Sequence, residues 1–185
     1  MKKVLILLIF SLFLISSCTF FDSAPGTYKY GEYEVTRVRH GGYEGYLTTV
    51  YINDNTNPTQ INTRHDPQSL ENIKIEGDVR DSLLTKKELF LHIEDKNLTG
   101  LTTVAGLEFN NLIERFYSIP VKYEENKYNC DYDLNESIGI VKLQLGDVNK
   151  VFVKDSCVVL QGQTEKDLVK VADRVIFFLL GIMKE

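Results

Sequence analysis

The sequence predicts an α/β fold: a mixed β-sheet with two main helices, preceded by antiparallel N-terminal strands. Nearly alternating apolar residues fill the first part of the domain, strand-like and helix-like segments then alternate, and the C-terminal segment carries an apolar stripe at helical spacing. We divide the chain into a lipoprotein signal peptide at 1–17, a tether at 18–26 and a single globular domain at 27–185. That domain is β-rich over 27–84 and α/β over 85–185.

Composition narrows the class of protein. The chain has 185 residues, of which 43% are hydrophobic and 25% charged, which suits one ordinary globular domain. The formal net charge is −5 and there is no basic tract. Since non-specific nucleic-acid binding needs clustered lysine and arginine to neutralise phosphates, we expect no nucleic-acid partner.

The N-terminus has the pattern of an export signal. Two lysines precede an apolar run from Val4 to Ile15, which is shorter than the ~20 residues of a membrane-spanning helix. The following Ile15-Ser16-Ser17-Cys18 resembles a lipobox, whose cysteine is lipidated and becomes the mature N-terminus. We therefore expect a protein anchored through lipid on Cys18 at the extracytoplasmic face of the cell membrane. The alternative is an uncleaved anchor, which leaves the domain on the same side.

The cysteines agree with export. Of three cysteines, lipidation uses Cys18 and leaves Cys130 and Cys157. An even pair in an exported domain is most simply a disulfide, and two buried thiols are the alternative. A metal pair is disfavoured, because neither residue has a Cys or His within four positions.

The first half of the domain reads as strands. Gly31, where the apolar alternation slips, predicts a bulge, and His40-Gly41-Gly42 predicts a turn before a strand over Tyr46–Ile52. The alternating residues are Tyr28, Tyr30, Tyr33, Val35 and Val38. After a turn at Asn53–Pro58, we expect short strands at Gln60–Asn62 and Asn72–Glu76, with a helical turn opened by Asp66 between them.

The second half alternates strand and helix. Ala105, Phe109, Leu112 and Phe116 share one helix face, which predicts a helix over Thr102–Tyr117 capped by Thr102 or Thr103. The predicted strands are Glu88–Ile93, Ile119–Tyr123, Ile138–Leu143, Lys150–Val153 and Cys157–Leu160.

The last helix has the clearest pattern. Thr164 and Asp167 form a start like a capping box, and an apolar stripe follows. The stripe comprises Leu168, Val171, Ala172, Val175, Ile176, Leu179 and Ile182. Because Phe177, Phe178 and Leu180 lie off the stripe, the final turns are apolar nearly all round. Burial in the core explains this, and contact with a partner or a lipid surface is the alternative.

Chemistry-bearing patterns are few. The loop Arg64-His65-Asp66 places a guanidinium, an imidazole and a carboxylate together, which suits a carboxylate-bearing ligand or a structural Asp-Pro turn. Glu108 beside apolar neighbours suits a general acid or a rim salt bridge. We predict no catalytic residue, no metal site and no cofactor, because no nucleophile elbow, phosphate-binding glycine loop or metal-ligand spacing is present.

Three further patterns are weaker. The segment Asp131–Asn135 imitates the start of a calcium loop, but Glu136 stands where the loop needs glycine. Asp131, Asp133 and Glu136 therefore suit a weak calcium site of another kind or a solvated acidic turn. Asn97 and Asn135 fit the glycosylation sequon. The strand tyrosines, among them Tyr43 and Tyr51, could stack on sugar rings or form a protein interface, or simply pair across strands.

The C-terminal part resembles a family. The segment from Asp155 to Gly162, the helix start Thr164–Leu168 and the motif Ala172-Asp173-Arg174 look like the tail of uncharacterised archaeal exported lipoproteins. Arg64–Pro67, Leu70–Ile73 and the surroundings of Glu108 are similar to the same group, which is distantly similar to archaeal S-layer protein modules. The resemblance implies an envelope location and a disulfide between Cys130 and Cys157, but no activity.

These observations predict a membrane-anchored envelope lipoprotein that acts as a non-catalytic structural or interaction module. Its candidate partners are an envelope protein or a glycan. The candidate surfaces are the tyrosine strands, the loop at Arg64–Asp66 and the end of the last helix. The alternative is a small ligand-binding or hydrolytic envelope protein that uses Arg64, His65 and Asp66.

Overall fold

The structure is a computed structural model that describes residues 26–40, 42–51, 58–94, 99–123, 130 and 137–184. The predicted signal, the lipidation site Cys18 and the tether up to residue 25 lie outside the described residues. So do the sequon asparagines Asn97 and Asn135, and the acidic segment 131–136.

The N-terminal strands form a four-stranded antiparallel sheet in the order β1-β2-β3-β4. Its strands are β1 (Thr27–Tyr30), β2 (Tyr33–His40), β3 (Tyr43–Val50) and β4 (Thr59–Thr63). Gly31 has φ +58° and lies between β1 and β2, so the predicted bulge is wrong: the slip in alternation marks a tight hairpin turn. The turn predicted at His40–Gly42 is confirmed by the β2–β3 hairpin, where Gly42 has φ +86°.

The second sheet has six strands in the order β5-β9-β10-β8-β6-β7. The strands are β5 (Lys74–Glu76), β6 (Glu88–Ile93), β7 (Val121–Tyr123), β8 (Ile138–Leu145), β9 (Lys150–Lys154) and β10 (Cys157–Gly162). Strands β10, β8, β6 and β7 are parallel to one another, whereas β9 runs antiparallel to β10. This mixed sheet confirms the predicted fold class. The N-terminal sheet ends at Thr63, and β5 already belongs to the second sheet.

Three α-helices accompany the sheets: α1 (Val79–Leu84), α2 (Gly100–Tyr117) and α3 (Glu165–Leu179). The short α1 was not predicted, because six residues are too few to show a helical period. The N-cap of α2 is Thr99 rather than the predicted Thr102 or Thr103, so the helix begins at Gly100. The Thr102 hydroxyl instead donates to the Glu165 carboxylate, which also accepts from the Thr99 amide and hydroxyl.

Helix α3 starts as predicted, and its turn from β10 is tight. The Thr164 hydroxyl accepts a hydrogen bond from the Asp167 amide. A Cβ on Gly162 would lie only 2.6 Å from the Leu168 nitrogen and 2.9 Å from the Thr164 oxygen. Glycine at this position therefore lets the helix start pack directly on the end of β10.

The long helices contribute to a core shared by both sheets. From the second sheet, Leu89, Leu91, Val141, Leu143, Val158 and Leu160 pack with the buried residues of α2 and α3. From the first sheet, Val50 and Ile61 join the same cluster. With layers on more than one side, α3 is buried nearly all round.

The end of α3 is not an exposed surface. Phe177, Phe178 and Met183 are all buried, so the structure corrects the prediction that this end presents a candidate interaction surface. Burial in the core, the other explanation for these apolar turns, is confirmed. Among the described residues, no helix has both the length and the apolar character needed to cross a membrane.

The disulfide lies on the opposite face of the second sheet. Cys130 and Cys157 are bonded, with their Cα atoms 5.2 Å apart. Side chains alternate between the faces of a strand, so Cys157, Val159 and Ile140 point away from the helices and pack with Cys130 and Phe152. The bridge therefore attaches Cys130 to the sheet face that α2 and α3 do not cover.

We expect this disulfide to stabilise the fold. The cysteines are 27 residues apart, and closing a loop of that size adds about 3–4 kcal/mol through lost entropy of the unfolded chain. Reduction should lower the free energy of unfolding by that amount, as measured by urea denaturation with and without dithiothreitol. The variant Cys130→Ala is the control and should lose nothing more on reduction. An equal loss in both proteins would contradict the prediction.

Candidate functional site

A buried carboxylate joins the end of the first sheet to helix α3. Asp173 is 0% exposed. Its Oδ2 accepts hydrogen bonds from the Arg64 amide (3.1 Å), the His65 amide (2.9 Å) and His65 Nδ1 (2.8 Å). Three donors on one oxygen compensate for removing the charge from water. The loop that follows β4 is therefore attached to the middle of α3.

Asp66 points away from this cluster. Its carboxylate accepts from the Gln68 amide at 2.8 Å and from the Tyr28 hydroxyl, and it caps the 3₁₀ helix Pro67–Leu70. Burial and the nearby Asp66 carboxylate raise the pKa of Tyr28. The predicted trio thus separates: Asp66 holds the turn, whereas Arg64 and His65 meet Asp173. The structural turn expected at Asp66-Pro67 is present, but Asp173 rather than the arginine side chain anchors it.

The Arg64 side chain forms an ion pair with α2. Its Nε donates to Glu108 Oε1 at 2.6 Å, which confirms the rim salt bridge expected of Glu108. The Arg64 side chain is 43% exposed and that of Glu108 is 21% exposed. The second carboxylate oxygen of Glu108 is buried and has no hydrogen-bond partner among the described residues, and the same holds for Asp173 Oδ1.

Two carboxyl groups, those of Glu108 and Asp173, lie beside Arg64, whose guanidinium is the permanent cation of this cluster. Burial, followed by the negative charge of Asp173, raises the pKa of Glu108 to about 7, although Arg64 and His65 act in the opposite direction. Burial also raises the pKa of Asp173, against the hydrogen bonds from His65 and Arg64. The raised pKa values thus reflect the cost of holding two buried carboxyl groups beside one guanidinium.

A groove opens above the ion pair, between the first sheet and α2. It encloses about 660 Å³, within the usual range of ligand sites. The β2–β3 hairpin supplies Val38, Tyr43, Glu44 and Gly45, the end of β4 supplies Asn62, Thr63 and Arg64, and α2 with its cap supplies Thr99, Gly100, Leu101, Val104 and Glu108. The residues that line it come from segments far apart in sequence.

Gly45 lies in the wall of this groove, directly against the Asn62 side chain. A Cβ built there would lie 3.1 Å from Asn62 Oδ1 and 3.2 Å from the Thr63 carbonyl oxygen. Glycine inside a strand lacks a packing side chain and is typical of places where another group approaches the backbone closely. Here the approaching group is Asn62, whose side-chain oxygen occupies the space that a larger residue at position 45 would need.

The neighbouring Arg174 is also buried but has a different role. Its Nε donates to the Ile73 carbonyl at 3.0 Å, and its Nη2 donates to the carbonyl of Lys184. Burial lowers the pKa of the guanidinium, while Tyr30 and Glu71 counteract this. Asp173 and Arg174 thus tie successive positions of α3 to two different segments.

Hydrolytic chemistry would use the His65–Asp173 pair. A carboxylate on Nδ1 orients an imidazole as a general base. Within the described residues, however, no hydroxyl or thiol forms a hydrogen bond with His65 Nε2, and His65 does not line the groove. In the same part of the chain, no three His, Cys, Asp or Glu side chains are grouped so that they could hold a metal ion.

The structure brings together two of the predicted surfaces. Tyr43, from the tyrosine strands, and Arg64, from the polar loop, line the same groove, while Tyr51 lies outside it. Sequence reasoning missed Asp173, Asn62 and Gly45 as site residues. A signal for Asp173 exists, because it lies four residues after Val169 and four before Phe177, both buried on α3.

We expect Asp173→Ala to destabilise the protein by about 3–5 kcal/mol, because it leaves buried donors of Arg64 and His65 unpaired. Urea denaturation measures the change. The exposed Lys166 on the same helix provides the control: Lys166→Ala should change stability by less than about 0.5 kcal/mol. A loss for Asp173→Ala as small as that of the control would show that the hydrogen bonds to Asp173 do not contribute to stability.

We expect Glu108→Gln to stabilise the protein at pH 8 but not at pH 4. The folded carboxyl has a pKa of about 7 against an ordinary 4.5, so the folded state binds more protons between these values and loses stability as pH rises through them. Neutral glutamine avoids that loss, which is worth about 1–3 kcal/mol at pH 8. Urea denaturation at both pH values measures it.

Glu44→Gln is the matched control for this experiment. The hydrogen bonds from Arg37 and Arg39 lower the pKa of Glu44, so this exposed carboxylate favours folding when it is ionised. Its replacement should bring no gain at pH 8. A gain for both variants, or for neither, would contradict the assigned pKa of Glu108.

Comparisons of the chain with protein-family models, with curated proteins and with solved structures find no match. A function must therefore follow from the chemistry of the site. Its two parts are the groove with Tyr43, Asn62 and the Arg64–Glu108 pair, and the buried Asp173 cluster beneath it.

Proposed function

We propose that this protein is an exported, lipid-anchored binding module of the cell envelope. Lipid on Cys18 holds it to the extracytoplasmic face of the membrane, and the groove between the first sheet and α2 receives an envelope partner. The observation that carries the proposal is the groove itself. It gathers an exposed aromatic ring, an exposed amide and a guanidinium–carboxyl pair around about 660 Å³.

Two features support the location. The lipobox-like Ile15–Cys18 follows an apolar run of signal length. The Cys130–Cys157 disulfide is typical of oxidising compartments, since cytosolic thiols are normally kept reduced. Both favour an exported domain.

The polar cluster favours binding over hydrolysis. Asp173 Oδ2 accepts hydrogen bonds from two backbone amides of the loop as well as from the imidazole, which is the pattern of a structural clamp. Arg64 presents its guanidinium to the groove while its amide is held by Asp173. The clamp therefore positions a recognition residue, and we propose no catalytic step.

Site-specific photo-crosslinking in native envelope membranes tests the groove. A photoreactive phenylalanine analogue is placed at Tyr43, which is 72% exposed within the groove, or at Tyr51, which is 69% exposed outside it. We expect a discrete adduct from position 43 and none from position 51. Equal labelling at the two positions, or none at 43, would refute the groove as the binding surface.

Anchoring has a separate test. We expect Cys18→Ala to prevent lipid attachment, since no other side chain offers a thiol in the lipobox-like segment. Intact mass and metabolic labelling with a fatty-acid analogue should show lipid on the wild type alone. Cys157→Ala is the control, because it removes a thiol and should leave lipidation intact. Lipid on the Cys18→Ala protein would exclude this anchor.

A further inference from the structure

We infer that the groove binds a neutral carbohydrate, with adjacent hydroxyl groups on the Arg64–Glu108 pair and the Asn62 amide and an apolar ring face on Tyr43. This inference rests on the proposed function and names the class of partner. Four properties of the groove support it: paired charges, unused polar atoms, an exposed aromatic ring in the lining and a volume that fits a sugar.

The charges lining the groove are already paired. Arg64 is bound to Glu108 by a 2.6 Å contact, and Glu44 is bound to Arg37 and Arg39 on the neighbouring strand. A phosphate, carboxylate or ammonium ligand would have to compete with these ion pairs. Hydroxyl groups can add hydrogen bonds to the same side chains without displacing them. The electrostatics therefore favour an uncharged, polar ligand.

The polar atoms left over match hydroxyl groups. The Arg64 Nη atoms and the Asn62 side-chain amide make no hydrogen bond with a described residue, and Glu108 Oε1 accepts only from Arg64 Nε. The set thus offers fixed donors on the guanidinium beside an acceptor on the carboxyl group. A vicinal diol uses both, because each hydroxyl can donate and accept. The Asp173 clamp holds the Arg64 backbone in place, so this arrangement is organised before a ligand arrives.

Tyr43 supplies an apolar contact at the mouth. Its ring is 72% exposed and lines the groove, so it is free to pack against a ligand there. One face of a pyranose ring carries mainly C–H groups and can pack on such a ring while its hydroxyls point elsewhere. Leu101 and Val104 extend this apolar side along α2.

The groove has the size for a sugar. In its wall, the Asn62 side chain lies against Gly45, since a Cβ at position 45 would press on Asn62 Oδ1 at 3.1 Å. Glycine at this position therefore allows the Asn62 amide to take its place in the lining of the groove. A groove of about 660 Å³ accommodates more than one sugar ring, which suits the end of an oligosaccharide.

The test presents the full chain in detergent to an array of neutral oligosaccharides, sulfated and carboxylated oligosaccharides, and extended peptides. Hits are titrated by calorimetry with wild type, Tyr43→Ala, Asn62→Ala and the control Tyr51→Ala. All three residues are exposed, so these variants should keep the fold, as checked by thermal melting. We expect neutral oligosaccharides to bind, and affinity to fall about fivefold or more in the two groove variants but not in Tyr51→Ala.

The other outcomes separate the two proposals. Binding of charged sugars or peptides alone, lost in Tyr43→Ala, would overturn the carbohydrate inference and keep the groove as the binding surface. Neutral sugars that bind equally to every variant would overturn the inference by placing their site elsewhere. If no compound in the array binds, the carbohydrate inference is overturned as well. If crosslinking at position 43 also fails, the proposed function is refuted with it.

Discussion

The need to satisfy one buried carboxylate organises this fold. Asp173 lies on a helix packed between apolar layers, where burying a carboxyl group is costly unless hydrogen-bond donors offset part of that cost. The Arg64 and His65 amides meet that need, and in doing so they fix where the first sheet ends relative to α3. Polar pairing, rather than apolar contact alone, thereby sets the relation between the N-terminal strands and the rest of the domain.

The groove is a consequence of that attachment. With the Arg64 backbone held by α3, the guanidinium is directed to Glu108 on α2, and the β2–β3 hairpin comes to lie opposite the start of that helix. The disulfide acts on the other face of the second sheet and leaves the groove untouched. The disulfide and the groove are therefore distant from each other, so we expect changes at one to have additive effects with changes at the other.

The sequence predicts most elements and little of the site. Strand β6 agrees at both ends because the mainly apolar segment Glu88–Ile93 is bounded by polar residues, and α3 follows from its stripe and its Thr164 cap. The groove could not be predicted from the sequence, because its lining residues become neighbours only through tertiary packing. Asp173 was missed because an acidic residue on a helix ordinarily faces solvent, and only the apolar residues four positions to either side indicate otherwise.

The edge strands of the second sheet affect the tendency of this protein to aggregate. Its outer strands, β5 and β7, are three residues long, and Lys74, Glu76 and Lys122 lie on them. An edge that short exposes few unpaired backbone groups, and charged side chains discourage another chain from pairing there. Short, charged edges of this kind therefore favour separate molecules over aggregates that grow by strand addition, even at high local protein concentration.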